Sequence, residues 1–326
     1  MTEDTAFSLS RGRAKPALPE RGARGKPVQG IDVTAEADGA VGSTGRFSLA
    51  ILREIHLRSQ KKRRQNRRLH PTLRNSMQRQ KWFELHDQEW FPGFLRDLVT
   101  QALEGMWKAN RTYRPIVPLL RDALQRSRAE RVVDLCSGGG GPWPTLYGEV
   151  ANGNTLEVCF TDLYPNTDME TGEGFRVHAQ PVDARRVPTD LRGFRTIFSS
   201  FHHFDPESAR AMLADAFAHR EGIAVFEAAR RTPGTLLAVN GVPVLALRNA
   251  AAEMPLPLRR LVFTYLLPVI PAVLWIDGVL SCLRSYSVDD LRELTEGLSA
   301  PDYKWRVGEE KGNPVPITYL IGTPLP

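Results

Sequence analysis

The residues of this chain best suited to chemistry fall at the ends of four apolar runs. The first run, in VVDLCSGGGGPW (132–143), ends in Asp134; Cys136 and Ser137 then lead into four glycines, Gly138, Gly139, Gly140 and Gly141. Glycine has no Cβ, so backbone in such a turn can approach a ligand closely and take positive φ. The second run closes on FTDL, placing Asp162 28 residues after Asp134 and Leu163 next to it. A carboxylate at the tip of a second strand can accept hydrogen bonds from two ribose hydroxyls. The third closes on VDAR, where Asp183, beside Ala184, can meet an adenine amino group; the fourth closes on SSFHHF, with Ser199, Ser200, His202 and His203. An imidazole titrates near neutrality, so either histidine can take a proton from an acceptor. Equally, either can pack against a bound cofactor or cap a helix.

These groups need strands and helices to position them. Strands are expected at 131–135, 156–163, 176–183, 195–201 and 222–228, with a helix at 206–220. A last helix follows Ser287, a good N-cap, and residues 303–324 read as two strands about a turn at Gly312-Asn313. The expected fold is therefore α/β: a doubly wound, Rossmann-like seven-stranded sheet with a terminal antiparallel hairpin. Upstream, GFLRDLVTQALEGMW begins just after Pro92 and PIVPLLRDALQRS follows, both with apolar residues at helical spacing among a dense group of aromatics. These helices can pack on the sheet and also roof the site, which makes Tyr113 a candidate substrate contact.

Taken in order and spacing, the four groups resemble class I S-adenosylmethionine (SAM) dependent methyltransferases over about 200 residues, 128–326. VVDLCSGGGG is similar to their first motif, TDL to the ribose-binding acid, VDA to the adenine-side motif and SSFHHF to the fourth. The hairpin resembles that family's reversed seventh strand. The resemblance implies SAM as methyl donor, with Asp134, Cys136, Ser137, Gly138, Gly139, Gly140, Asp162, Leu163, Asp183, Ala184, Ser199 and Ser200 around it and His202 or His203 as base. It also implies in-line transfer to a small-molecule or lipid-like acceptor, in which positioning supplies much of the rate. One residue departs from the family pattern: Cys136 stands where glycine is usual. The thiol reads as a packing residue. No NPPY-type sequence follows the fourth strand, which argues against amino-purine or glutamine N-methylation.

The remaining features bound the biology. Three well-separated cysteines, Cys136, Cys159 and Cys282, form neither a disulfide framework nor a metal-binding cluster; no metal is expected, and a reducing, cytoplasmic setting is. Residues 1–45 have the composition of a disordered tail. Residues 46–127 form a basic and aromatic helical extension, in which Arg53 to Lys81 carries eleven Lys/Arg against the single acid Glu54. That segment reads as a solvated face, or as a contact for anionic lipid or nucleic acid, leaving RNA or DNA methylation as an alternative function. Residues 232–286 form an apolar insertion whose uncharged run, 261–276, is short and broken by Pro268 and Pro271, unlike a membrane span of about 20 residues. It either walls a substrate pocket or presents an apolar surface to a membrane or second subunit, so a membrane-peripheral location and a non-catalytic scaffold both stay open. Glu227 is expected to orient a substrate or to bond Arg230 or Arg231; Asp277 is expected to pair with Arg284 or to face substrate.

Overall fold

The computed structural model describes residues 79–325, apart from 81, 168, 170, 254–256, 313 and 314. The expected tail 1–45, nearly all of the basic segment and the Asn313 half of the hairpin turn lie outside these residues.

Seven strands form one sheet: β1 (Arg131–Leu135), β2 (Glu157–Thr161), β3 (Phe175–Val177), β4 (Phe194–Phe198), β5 (Ile223–Glu227), β6 (Tyr303–Glu310) and β7 (Ile317–Pro324). Their order is β3-β2-β1-β4-β5-β7-β6. The first five run parallel, while β7 lies antiparallel between β5 and β6, with Val225 opposite Leu320 and Val307 opposite Leu320. The central strands are short, apolar and buried, as a sheet covered on both faces requires. Strand β3 stops at Val177, well short of the expected 183. Past it, Pro181 has no N–H to give to a ladder, and Val182 N instead bonds Asp162 O beyond the tip of β2 (2.9 Å).

Helices α1 (Gly93–Asn110), α2 (Val117–Ser127), α3 (Trp143–Ala151) and α4 (Pro206–Ala218) precede α5 (Pro233–Ala238), α6 (Val242–Ala252), α7 (Leu258–Leu261), α8 (Val269–Arg284) and α9 (Val288–Leu294). Their ends follow local chemistry. Asp205 caps α4 by accepting Ser208 N, and Ser287 and Asp290 close a reciprocal capping box on α9. Leu120, Leu124, Trp143 and Leu146 cover one face of the sheet, and Met212, Leu213, Leu291 and Leu294 the other.

The insertion folds with the upstream helix. Val99 and Met106 of α1 meet Ala246 of α6 and Ile270, Val273 and Leu274 of α8 in a third core. Residues Pro233–Ala252 are long and apolar enough to cross a membrane, yet α6 buries Ala246, Asn249 and Ala250 in the protein. The run after it bends by 68° between Leu266 and Val269. Large apolar side chains stay exposed here, among them Leu237, Val244, Leu258 and Leu266.

Candidate active site

Strand β1 delivers the glycine turn to the edge of the sheet where open α/β folds bind ligands. Gly138, Gly140 and Gly141 all take positive φ (56°, 98° and 55°). So does Cys136 (φ 56°), a conformation that costs an L-residue roughly 1–2 kcal/mol and that glycine adopts freely. The departure from the family pattern therefore falls on a residue whose backbone favours glycine. Burial, reinforced by Asp162, Asp134 and Asp183, pushes the Cys136 thiol far up, in keeping with a packing role.

Asp162, just past β2, accepts Gly138 N (3.2 Å) and Tyr164 N (2.9 Å), which ties the second strand tip to the glycine turn. Burial raises its pKa. With Ser137, Gly138, Phe160, Asn166, Met169 and Val177 it lines a narrow cleft. A wider concavity lies elsewhere, at the opposite strand ends, where the ion pairs Arg131–Glu157 and Arg192–Glu221 (both 2.8 Å) sit.

Other candidates take different places. Asp134 is turned inward: one carboxylate oxygen accepts Trp143 Nε1 (3.0 Å) and Thr196 Oγ1 (2.5 Å) beneath the turn. Burial raises its pKa to about 7 despite these bonds. The Ser137 hydroxyl donates to Asp134 O (2.7 Å) and Thr161 O (3.1 Å), splicing β1 to β2. Asp183 lies in the loop after β3 and chelates Arg185 (2.6 to 3.1 Å). Ala184 is buried in the core and Leu163 is exposed. Ser199 bonds the Tyr113 hydroxyl, and Ser200 donates to Phe198 O (2.9 Å). Tyr113 is itself 1% exposed, too deep to touch a substrate.

Glu104, on α1, has no signal in the sequence. Its carboxylate lies on the turn, accepting the N–H groups of Gly139 and Gly141, and burial lifts it to about 7. A Cβ at Gly139 would lie 2.5 Å from Glu104 Oε1, so the glycine makes this docking possible.

Beyond β4, the turn Phe201–His203 rests on Glu227, which accepts Phe201 N (2.8 Å) and, with its other oxygen, bonds His202 Nδ1 (2.6 Å). Glu227 thus serves His202 and neither arginine; Arg230 pairs with Glu309, and Arg231 with Asp290. Glu84 (2% exposed) approaches both histidines, at 3.2 Å from His202 Nε2 and 3.7 Å from His203 Nε2. Asp87 bonds His203 Nδ1 (2.7 Å). Burial pulls His202 down, but Glu227 and Glu84 outweigh it and push its pKa up to about 10. Burial would raise Glu84, yet His203, His202 and His86 hold it well below the usual carboxylate range.

Asp277 anchors this arrangement from the insertion and is not paired with Arg284. It accepts Leu85 N (2.6 Å), His86 N (3.2 Å) and His86 Nδ1 (2.7 Å), fixing the short turn that carries Asp87 and follows Glu84. Arg284 instead donates to His203 O (2.9 Å). Arg79, from the basic segment, donates to the carbonyls of Arg284, His202 and Phe204 (2.7, 3.1 and 2.7 Å) and stacks on Tyr286, so this cation is committed inside the protein.

The strand order, the reversed seventh strand and the glycine turn at the tip of β1 define a class I methyltransferase-like fold. No protein-family model and no curated protein matches the chain. Among solved structures it is similar to the plantazolicin methyltransferase BpumL in complex with SAH, at 9% identity over 73% of this chain and 94% of that one (TM-score 0.44). It is also similar to human N-acetylserotonin methyltransferase in complex with SAM, at 13% identity over 71% and 56% (TM-score 0.41). A third likeness is the O-methyltransferase NcsB1 from neocarzinostatin biosynthesis, in complex with SAM and 2-hydroxy-5-methyl naphthoic acid, at 15% over 73% and 62% (TM-score 0.37). The chain spans most of the first protein and little more than half of the other two. These are distant likenesses of shape, and no residue role is carried over from them.

Proposed function

We propose that the chain is a SAM-dependent methyltransferase acting on a small-molecule or lipid-like acceptor. The observation that carries this reading is Asp162 set against Gly138 N at adjacent strand tips of a class I sheet. The residues present suit the cofactor: positive-φ glycines allow close backbone approach, Asp162 offers carboxylate oxygens for ribose, and Phe160, Met169 and Val177 give apolar walls for a base. When bound, SAM supplies an electrophilic methyl on its sulfonium. The chain's own residues do the rest. Asp162 would hold the ribose, and the glycine turn, against which the Glu104 carboxylate lies, would hold the methionine end. Acceptor binding falls to the carboxylate–histidine cluster after β4, where His203 is the open side: its side chain is 24% exposed against 3% for His202. The exposed leucines and valine of the insertion favour an apolar or lipid-like acceptor and a membrane-peripheral setting.

Calorimetric titration with SAM and with its demethylated product tests the reading. Binding by the parent, lost or strongly weakened in Asp162→Ala, is the expected result. No binding by the folded parent would favour a non-catalytic scaffold. Labelled methyl-SAM offered with cell extract then identifies the acceptor, and a steep fall in its binding between low and moderate salt would redirect the search to nucleic acid.

A further inference from the structure

We propose that Glu84, His202 and His203 form a binding site for one divalent transition-metal ion of the zinc type, with a coordination position left open for an oxygen of the acceptor. One donor atom from each residue lies within 4.8 Å of the others, and the Glu84 carboxylate is 3.2 Å from His202 Nε2 and 3.7 Å from His203 Nε2. Metal–ligand bonds of about 2.0–2.2 Å in a tetrahedral site place donors about 3.4 Å apart, close to both of these distances. Two imidazoles and one carboxylate match sites for zinc and its neighbours, not the all-oxygen sites of calcium or magnesium.

Three observations go beyond the clustering of donors. First, His202 Nε2 is buried and makes no hydrogen bond, although Glu84 Oε1 is 3.2 Å away. A buried imidazole nitrogen and a buried carboxylate oxygen that face each other at 3.2 Å without hydrogen-bond geometry are spaced as two ligands of one ion would be. Second, each histidine has its other nitrogen fixed by a carboxylate, Glu227 on His202 Nδ1 (2.6 Å) and Asp87 on His203 Nδ1 (2.7 Å). This carboxylate–histidine arrangement sets the tautomer that presents Nε2 to a metal. Third, the surroundings are rich in carboxylates: Glu84, Asp87, Glu227 and Asp277 lie around the imidazoles of His86, His202 and His203, with Arg284 at 3.7 Å from both Glu84 and Asp87. A divalent ion held by Glu84 and the two outer histidine nitrogens would sit inside this acidic shell. Its open position would polarise a hydroxyl or carboxylate oxygen of the acceptor.

Metal binding and SAM binding are measured separately, so either can fail alone. The full chain, stripped with chelator and dialysed, is titrated with Co²⁺ by visible absorption and then with Zn²⁺, and bound metal is counted by mass spectrometry. The expected result is one ion per chain and Co²⁺ bands of four- or five-coordinate type that Zn²⁺ removes. His203→Ala should weaken binding at least about 100-fold, and Asp87→Asn, which alters the partner of the ring's far nitrogen and leaves Nε2 in place, about 10- to 100-fold. Should His203→Ala lose its native near-ultraviolet dichroism, Asp87→Asn decides. Less than a tenth of an ion per parent chain, or bands of full strength in the folded variants, would overturn the proposal.

Discussion

Replacing Asp134 by asparagine and by alanine should separate two roles of a carboxylate that sits beneath the glycine turn. Its oxygen receives the Trp143 indole (3.0 Å) and the Thr196 hydroxyl (2.5 Å), and both partners are 0% exposed. Alanine leaves the buried Thr196 hydroxyl without this acceptor and the Trp143 indole with only Thr196 Oγ1 (3.2 Å); at about 1–3 kcal/mol for one unpaired buried donor, the loss should be about 1–3 kcal/mol. Asparagine keeps the accepting oxygen and removes the charge. Burial raises this carboxyl from 3.8 to about 7. Between those values the native state holds a proton that the unfolded chain has released. The parent's stability contribution from Asp134 therefore falls as pH rises through this window and is level above it. At 1.36 kcal/mol per pH unit the whole fall is at most about 4 kcal/mol. Asparagine has no such fall, so the stability difference between Asp134→Asn and the parent should move in the variant's favour by about 2–3 kcal/mol between pH 4.5 and 7.5. Urea unfolding across that range, followed by tryptophan fluorescence, measures it. A difference that stays flat with pH, or an asparagine cost equal to alanine's at pH 7.5, would refute this role for Asp134.

Three further outcomes follow from the same geometry. Asp162→Ala should weaken SAM binding at least about tenfold by removing charge-assisted bonds of about 1.5–3 kcal/mol, and an unchanged Kd in calorimetry would refute its ribose role. Glu104→Ala should tighten SAM binding several-fold, because the carboxylate must leave the N–H groups of Gly139 and Gly141 before a ligand can use them. Weaker binding would mean that Glu104 holds the cofactor. Cys136→Val, an ordinary apolar exchange elsewhere, should cost about 1–3 kcal/mol in thermal unfolding, since a β-branched residue tolerates φ 56° poorly; a melting point equal to the parent's would show the turn relaxes.

The parts of this protein that its sequence settles are those with a local cause. Three of the five parallel strands lie within the expected apolar runs and the other two begin one residue earlier, because a short strand covered on both faces needs such a run; the capped ends of α4 and α9 depend on side chains three residues away. The glycine turn and the reversed hairpin are legible for the same reason, and so is the adjacency of Asp162 to the turn, since β1 and β2 pair in register from Arg131–Glu157 to Leu135–Thr161. Where long-range packing decides, the sequence is silent or misleads. Asp134 reads as a ligand-facing acid, but Trp143 and Thr196 draw it inward; Asp183 reads as a strand tip, but the loop past Pro181 carries it to Arg185. Glu84, Asp87 and Glu104 lie in unremarkable stretches 35 to 119 residues from the groups they meet. Only the docking of α1 on the glycine turn, and of Asp277 on the Leu85–Asp87 turn, brings them there. No spacing rule links residues that are neighbours solely because two separately folded faces bury each other.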